Sequence, residues 1–419
     1  MAIHRPWIFS RGSRCMPKKL LIIVRDSRRL GGVETYLSTL LPRLAQDYKI
    51  AVLASGAAVP EAETFTSLRP LWYAHDARTA ENVAAWRPQA VFNHGNDPAL
   101  QRQILTRLPS LSGHTGSPPL PALFFAHDYS GFCATGTKMF AAPAPAVCSR
   151  NLNAGCLLRH YPRRCGGLNP ITMGRDYRRQ RALRSQINAY AGFVVASDYM
   201  KNELVRQGLA PERIHVAPYP VPEELRPQSS RPGNPVSAPF RLLMLARLTP
   251  GKGGAELILA LREASQLLQR PLELTIAGDG PELPRLRRLA AQCRLNVHFP
   301  GWVGPQSRRE LLAGAHLLVV PSIWPEPFGM VGLEAGAIGI PSVAMASGGI
   351  PEWLVPGVSG ELAPLLSPYW PGLAQAIARA LALDRHYAAL CQGAREQAHG
   401  FTMQAHWDRL HPVLQSLFA

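Results

Sequence analysis

No apolar run in these 419 residues reaches the roughly 18 to 20 positions that a helix needs to cross a bilayer. The opening stretch MAIHRPWIFSRGSRCMPKKL also lacks the continuous apolar core of a secretion signal. It precedes the first strand without belonging to it, so translation is expected to start at Met16. Charged residues make up only 17% against 47% hydrophobic, which excludes a disordered chain and leaves enough apolar surface for two or three cored domains. Acidic residues are scarce in the first half: residues 1–235 hold 30 Lys and Arg against 15 Asp and Glu, whereas residues 236–419 hold 15 against 13. A face so basic is either a plain solvated surface or meets something anionic, a phospholipid membrane or a phosphorylated acceptor. Nucleic acid has less support. The cluster Arg175, Arg178, Arg179, Arg181 and Arg184 is not interleaved with base-stacking aromatics, Tyr177 apart.

What is present is a repeating rhythm. Lys19 to Arg25 (KLLIIVR) reads as a strand, Gly31-Gly32 as a corner, and Val33 to Gln46 as a helix with Leu37, Leu40, Leu41 and Leu44 on one face. Short apolar runs recur at Ile50–Ala54, Pro70–Ala74, Ala90–Asn93, Ala122–Ala126, Phe193–Ala196 and Ile214–Ala217. Helical stretches such as Leu100 to Leu108 lie between them. Residues 229–239, SSRPGNPVSAP, read as a linker. The rhythm restarts with strands at Phe240–Ala246, Leu272–Ala277, Asn296–Phe299, Leu317–Val320 and Ser342–Ala344, and helices around 253–269, 284–292, 306–313 and 330–338. Helices around 371–382, 385–396 and 402–417 close the chain. The expected fold class is α/β: two doubly wound, Rossmann-like parallel-sheet domains facing a central cleft, with ligands beyond the carboxyl ends of the strands. The expected domains are 17–228, the linker 229–239, a second domain 240–400, and a C-terminal helix 401–419 that crosses back to the first.

The stretch LLVVPSIWPEPFGMVGLEAGAIG carries the most chemistry. Leu317–Val320 is a buried strand, and Pro321, Pro325 and Pro327 keep the next residues out of helix. A helix then begins near Met330. Glu326 therefore lies in a strand-end loop and Glu334 one to two turns into the helix. Between them Phe328, Gly329, Met330 and Val331 offer backbone N–H groups at a helix start, which is an anion site. A diphosphate bearing two polyhydroxylated groups suits it, that is, a nucleotide sugar. Arg247 and Lys252, in ARLTPGKGG at another strand end, can converge on the same phosphates as a forked donor and a point charge. Gly278 in GDGP, the SGGIPE loop, and Gly31-Gly32 are read either as close backbone approach to a ligand or as plain turns. His127 ends the strand ALFFA, facing the cleft or satisfied in the structure.

Arg247 with Lys252, the eight-residue spacing of Glu326 and Glu334 in PEPFGMVGLEA, the SGGIPE loop, GGVE near the N-terminus, and the strand-end His127 together resemble family 4 of the retaining glycosyltransferases, of the GT-B fold. The resemblance implies that Arg247 and Lys252 neutralise the donor diphosphate. It implies that Glu326 holds donor-sugar hydroxyls beside the amides of Phe328 to Met330, and that Glu334 holds the ribose. Gly31 and Gly32 would lie near the donor's phosphate or sugar, and His127 near the transferred sugar. It implies no catalytic metal and no cofactor beyond the nucleotide-sugar donor. The acceptor would be a cell-surface polysaccharide, lipopolysaccharide or glycolipid. The expected location is the cytoplasm, peripheral on the inner face of the cytoplasmic membrane.

One region departs from that pattern. Cys133, Cys148, Cys156 and Cys165 fall within 33 residues, inside an insertion at about 129–176, at intervals of 15, 8 and 9. Without a secretion signal, disulfides are not expected. The tight Cys-x2-Cys knuckle is missing, so a structural zinc site, incidental buried thiols and a redox pair all stay open. Three other functions compete with the main reading: a non-catalytic nucleotide-sugar-binding scaffold, an epimerase or phosphorylase of the same fold, and a nucleic-acid binder.

Overall fold

Leu20 to Val24 are almost completely buried, as a strand covered by helices on both sides of a sheet must be. This segment is an inner strand of the first sheet in a computed structural model that describes residues 18–28, 31–60, 64, 66–104, 120–225 and 239–419. The strands are β1 (Lys19–Val24), β2 (Lys49–Ala54), β3 (Leu71–Tyr73), β4 (Ala90–Asn93), β5 (Ala122–Phe125), β8 (Gly192–Val195) and β9 (Ile214–Val216). They form one sheet in the order β3-β2-β1-β4-β5-β8-β9, with every pairing parallel. The order reverses between β1 and β4, so a crevice opens at their carboxyl ends. Between β5 and β8, a hairpin of β6 (Met139–Phe140) and β7 (Ala146–Val147) is antiparallel.

The second sheet contains β10 (Phe240–Leu245), β11 (Leu272–Ala277), β12 (Val297–Gly301), β13 (Leu317–Val320), β14 (Ser342–Met345) and β15 (Gly360–Ala363). Its order is β12-β11-β10-β13-β14-β15, again parallel throughout, with the reversal between β10 and β13. Two doubly wound domains therefore present their switch points to each other, the architecture of the GT-B fold.

The helix Gly32–Asp47 buries Tyr36, Leu37, Leu40, Leu41 and Leu44, and tolerates Pro42 on its exposed side. The C-terminal helix Met403–Gln415 returns to the first domain. His406 accepts the Tyr36 hydroxyl hydrogen at Nε2 (3.0 Å) and donates from Nδ1 to the carbonyl of Pro218 (2.8 Å). Arg43 lies over the Trp407 ring at 4.0 Å. Val221, on the way out of the first domain, donates its N–H to the carbonyl of Phe401, on the way back.

The expected linker lies outside the described residues apart from position 239, as does the expected start at Met16. The expected insertion end, 176, falls within the helix Pro170–Ser185, and the expected boundary at 400 falls between the helices Asp384–His399 and Met403–Gln415.

Candidate active site

The loop that follows β13 is fixed through its carbonyls. Those of Ile323 and Trp324 accept from the Ser347 hydroxyl, and that of Pro325 from the Tyr129 hydroxyl at 2.6 Å. The carbonyl of Glu326 accepts from the Gly349 N–H, that of Pro327 from the Ser197 hydroxyl at 2.5 Å, and that of Phe328 from the Trp353 indole. Six consecutive carbonyls are thus satisfied, two of them by residues of the first domain. Three prolines remove backbone donors from this stretch, and side-chain donors supply the order that secondary structure would otherwise give. Gly348 has φ +62° and lies so close that an added Cβ would stand 2.1 Å from the Glu326 carbonyl oxygen.

Glu326 is buried, and its Oε1 accepts from Lys252 Nζ at 2.6 Å. The same ammonium lies 4.3 Å from the centre of the Trp324 ring. Arg247 is exposed at the end of β10 and its guanidinium has no hydrogen-bond or ion-pair partner among the described residues. Gly329 opens the helix Met330–Ala337 with φ +94°, and no side chain caps that helix. The amides of the first turn therefore remain available to an anion. Opposite lies the start of the helix Gly32–Asp47, also without a side-chain cap. A Cβ on Gly32 would sit 3.9 Å from Met330 Sδ, so two helix N-termini face each other across the cleft.

Glu334 is buried one turn into its helix and pairs with Arg308, from the helix Pro305–Gly314. Burial pushes its carboxyl above the usual range, and the Arg308 guanidinium opposes that shift. Arg308 carries no spacing signal in the sequence, and the structure alone brings it to the site. Gly278 has a local reason to be glycine: with φ +139°, a Cβ there would lie 1.8 Å from the carbonyl oxygen of Ala246.

His127, at the end of β5, is engaged at both nitrogens. Nε2 bonds His94 Nδ1 at 2.8 Å, and Nδ1 bonds the Tyr219 hydroxyl at 2.6 Å. Phe125 stacks on its ring at 4.3 Å. Burial among these groups pushes the imidazole down to about 3, so it is neutral at physiological pH. His94 and Tyr219 went unnoticed in the sequence because neither belongs to a local motif. A further cross-domain contact joins the SGGIPE loop to the first domain: the Glu352 carboxylate accepts from the N–H groups of Asp198 and Tyr199 (2.9 and 2.7 Å) at the start of the helix Asp198–Arg206.

Two family models match this chain, "Glycosyltransferase Family 4" over residues 30–225 and "Glycosyl transferases group 1" over residues 226–397. A GDP-mannose-dependent monoacylated alpha-(1-6)-phosphatidylinositol monomannoside mannosyltransferase of Corynebacterium glutamicum is 33% identical over 188 residues, 41% of this chain and 46% of that protein. A D-inositol 3-phosphate glycosyltransferase of Catenulispora acidiphila is 36% identical over 231 residues, 50% of this chain and 53% of that protein. The chain spans about half the length of the curated relatives it matches. Among solved structures, HepE of Anabaena in complex with UDP and glucose superposes with a TM-score of 0.68 at 19% identity, covering 95% of this chain and 100% of that one. WaaG, a glycosyltransferase involved in lipopolysaccharide biosynthesis, superposes with a TM-score of 0.63 at 17% identity, covering 93% and 99%.

Proposed function

The chain belongs to family 4 of the glycosyltransferases, and on that premise we propose that it moves a sugar from a nucleotide-sugar donor to a surface polysaccharide, lipopolysaccharide or glycolipid, with retention at the anomeric carbon. The observation that carries this reading is the uncapped helix start at Gly329, flanked by the Glu326 and Glu334 carboxylates, with Lys252 on Glu326 and Arg247 exposed past the end of the adjacent strand β10. The donor diphosphate sits on the helix amides, and Arg247 and Lys252 neutralise the charge that grows as the glycosidic bond breaks. Glu326 takes sugar hydroxyls and Glu334 the ribose. Gly31, Gly32 and Gly278 leave the backbone close to the donor, with the amides of Phe328, Met330 and Val331 alongside. A front-face step, with the leaving phosphate drawing the acceptor proton, fits a site whose cations stand on the donor side. His127 exchanges one of its partners for a hydroxyl of the transferred sugar. Being neutral, it acts as a hydrogen-bonding group and not as an acid.

The comparisons give the epimerase and scaffold alternatives no support. No helix among the described residues is long and apolar enough to cross a membrane. Docking on an anionic membrane surface from the cytoplasmic side is supported by a different feature. Leu158, Leu168 and Ile171 are exposed by 67 to 81% on a segment rich in arginine, including Arg159, Arg163, Arg175 and Arg178. Apolar side chains ringed by cations suit a phospholipid interface.

A thermal-shift series with UDP-, GDP- and ADP-sugars, followed by anomeric NMR of the product from the donor that binds, tests the reading. A stabilising donor and an α product from an α donor support it. Binding without transfer to any glycan or glycolipid acceptor would leave a scaffold in its place, and an inverted product would overturn retention.

A further inference from the structure

No hydrophobic side chain of residues 133–176 is fully buried, although Met139 and Cys133 pack partly against the neighbouring cores. Only Lys138 and His160 are buried in this stretch, yet it folds into the hairpin β6–β7 and the helix Gly155–Arg163 and enters the helix Pro170–Ser185. A segment of this length with no apolar core needs some other staple, such as a metal or disulfides. Four thiols from four separate pieces of backbone line a single cavity inside it. Cys133 comes from the turn after Phe132, Cys148 follows β7, Cys156 is in the first turn of the helix Gly155–Arg163, and Cys165 lies just past its end. All four are free.

We propose that this cavity is a four-thiolate site for a thiophilic metal centre, which fixes the segment beside the cleft.

The surroundings suit the charge such a centre carries. A zinc ion with four thiolates is doubly negative once the four thiol protons have left, and so is an oxidised cubane iron–sulfur cluster with four cysteinates. The cavity is lined by Arg150 and Arg159, by no carboxylate, and by Lys138, whose ammonium is already held by the buried Glu203 carboxylate and the Arg150 carbonyl. A backbone N–H group already points at sulfur: that of Lys138 donates to Cys133 Sγ at 3.3 Å. Such N–H···S bonds orient thiolate ligands and tune them. As placed, no three His, Cys, Asp or Glu side chains among the described residues stand as a metal-ligand set. Cys156 and Cys165 turn instead to the carbonyls of Asn151 and Arg159 at 3.8 and 4.0 Å, weak contacts that a χ1 rotation gives up for a metal.

The staple has a consequence for the cleft. Tyr129 and Thr137, at the near edge of the segment, bond the Pro325 carbonyl and the Trp324 indole of the loop that holds Glu326.

The test is elemental analysis and acid-labile sulfide determination on the full chain, expressed with zinc and iron supplied and purified without oxygen or chelator. About one zinc per chain, or about four irons with matching sulfide, is expected, and the two results distinguish the two centres. The variants Cys148→Ser and Cys165→Ser should lose the metal, while Cys293→Ser, outside the cavity, should keep it. Should the serine variants not fold, titration of the intact wild-type chain with an organomercurial gives the same answer, since the metal should be released as the four thiols are modified. Protein without stoichiometric zinc or iron, with all four thiols open to a disulfide reagent in the native state, would overturn the proposal. None of these measurements involves the sugar donor, so the result stands or falls independently of the proposed transfer reaction.

Discussion

Lys252 and Glu326, 74 residues apart in sequence, hold each other at 2.6 Å under the Trp324 ring. The cation meant for the diphosphate and the carboxylate meant for the sugar are thus one ion pair before any ligand arrives. Donor binding has to divide them, so each group is kept in place by the other until its own partner comes. Lys252→Ala should therefore lower turnover by on the order of 10²-fold or more. It should also cost about 2 kcal/mol of stability, because Glu326 is left buried and without its partner. Single-turnover rates together with thermal unfolding separate the two effects. Wild-type turnover in a folded variant would remove Lys252 from the mechanism.

Arg308 should set the pH at which Glu334 can serve the ribose. Burial favours the protonated carboxyl and Arg308 favours the carboxylate. In Arg308→Ala the protonated form should persist to higher pH. The acid-side rise in KM for the donor should then begin at higher pH than in wild type. An unshifted KM profile would mean that Glu334 does not contact the donor as a carboxylate.

Three buried imidazoles should make the protein acid-labile. His127 is held down to about 3 and His406 to about 4, and His94 well below its usual value, each mainly by burial. Their folded-state pKa values are depressed, so the unfolded chain binds more protons. The stability they contribute is complete above about pH 6.5 and is lost as pH falls below that value. The unfolding free energy should drop between about pH 6 and 4.5 with a slope approaching three protons, and His406→Asn should reduce that slope by about one. A pH-independent midpoint across this window would contradict the buried neutral cluster.

Glu352→Ala should loosen the contact between domains. Its carboxylate is the acceptor for the N–H groups of Asp198 and Tyr199, and loss of such a helix cap costs about 1 kcal/mol. The donor KM should rise more than kcat falls, since the SGGIPE loop also positions the Glu326 backbone through Gly349. Glu352→Gln, which keeps one acceptor oxygen, should lie between the two.

Replacing Arg163, Arg175 and Arg178, which lie outside the thiol cavity, with Glu should abolish co-sedimentation with phosphatidylglycerol vesicles at low salt while leaving donor-induced thermal stabilisation intact. Equal retention of variant and wild type on those vesicles would place any membrane contact elsewhere.

The sequence was most legible where apolar runs are short, uninterrupted and bounded by glycine or proline. Ala90–Asn93, Leu272–Ala277 and Leu317–Val320 occupy the expected residues. It was least legible where polar residues are structural. The helix Pro170–Ser185 shows no apolar period because it buries only Tyr177, Gln180 and Leu183. β15 was missed because Gly360 and Glu361 open it, and Glu361 is buried through ion pairing with Arg379. At the site, what local spacing can encode was readable: Glu326 and Glu334 on one strand–loop–helix unit, Arg247 and Lys252 on another. Long-range partners such as Arg308, Tyr219 and Ser197 were not, since nothing in their own neighbourhoods distinguishes them from surface or core residues.

The bond from Val221 N–H to the Phe401 carbonyl has a mechanical meaning. The outgoing and returning parts of the chain are tied side by side at that point, a link between backbones that the side-chain contacts of Tyr129, Ser197 and Glu352 do not provide. A swing about that tie, like a door on its jamb, disturbs it less than a slide. The loop bearing Glu326 lies on the closing side, where Ser197 and Tyr129 act as the strike plate.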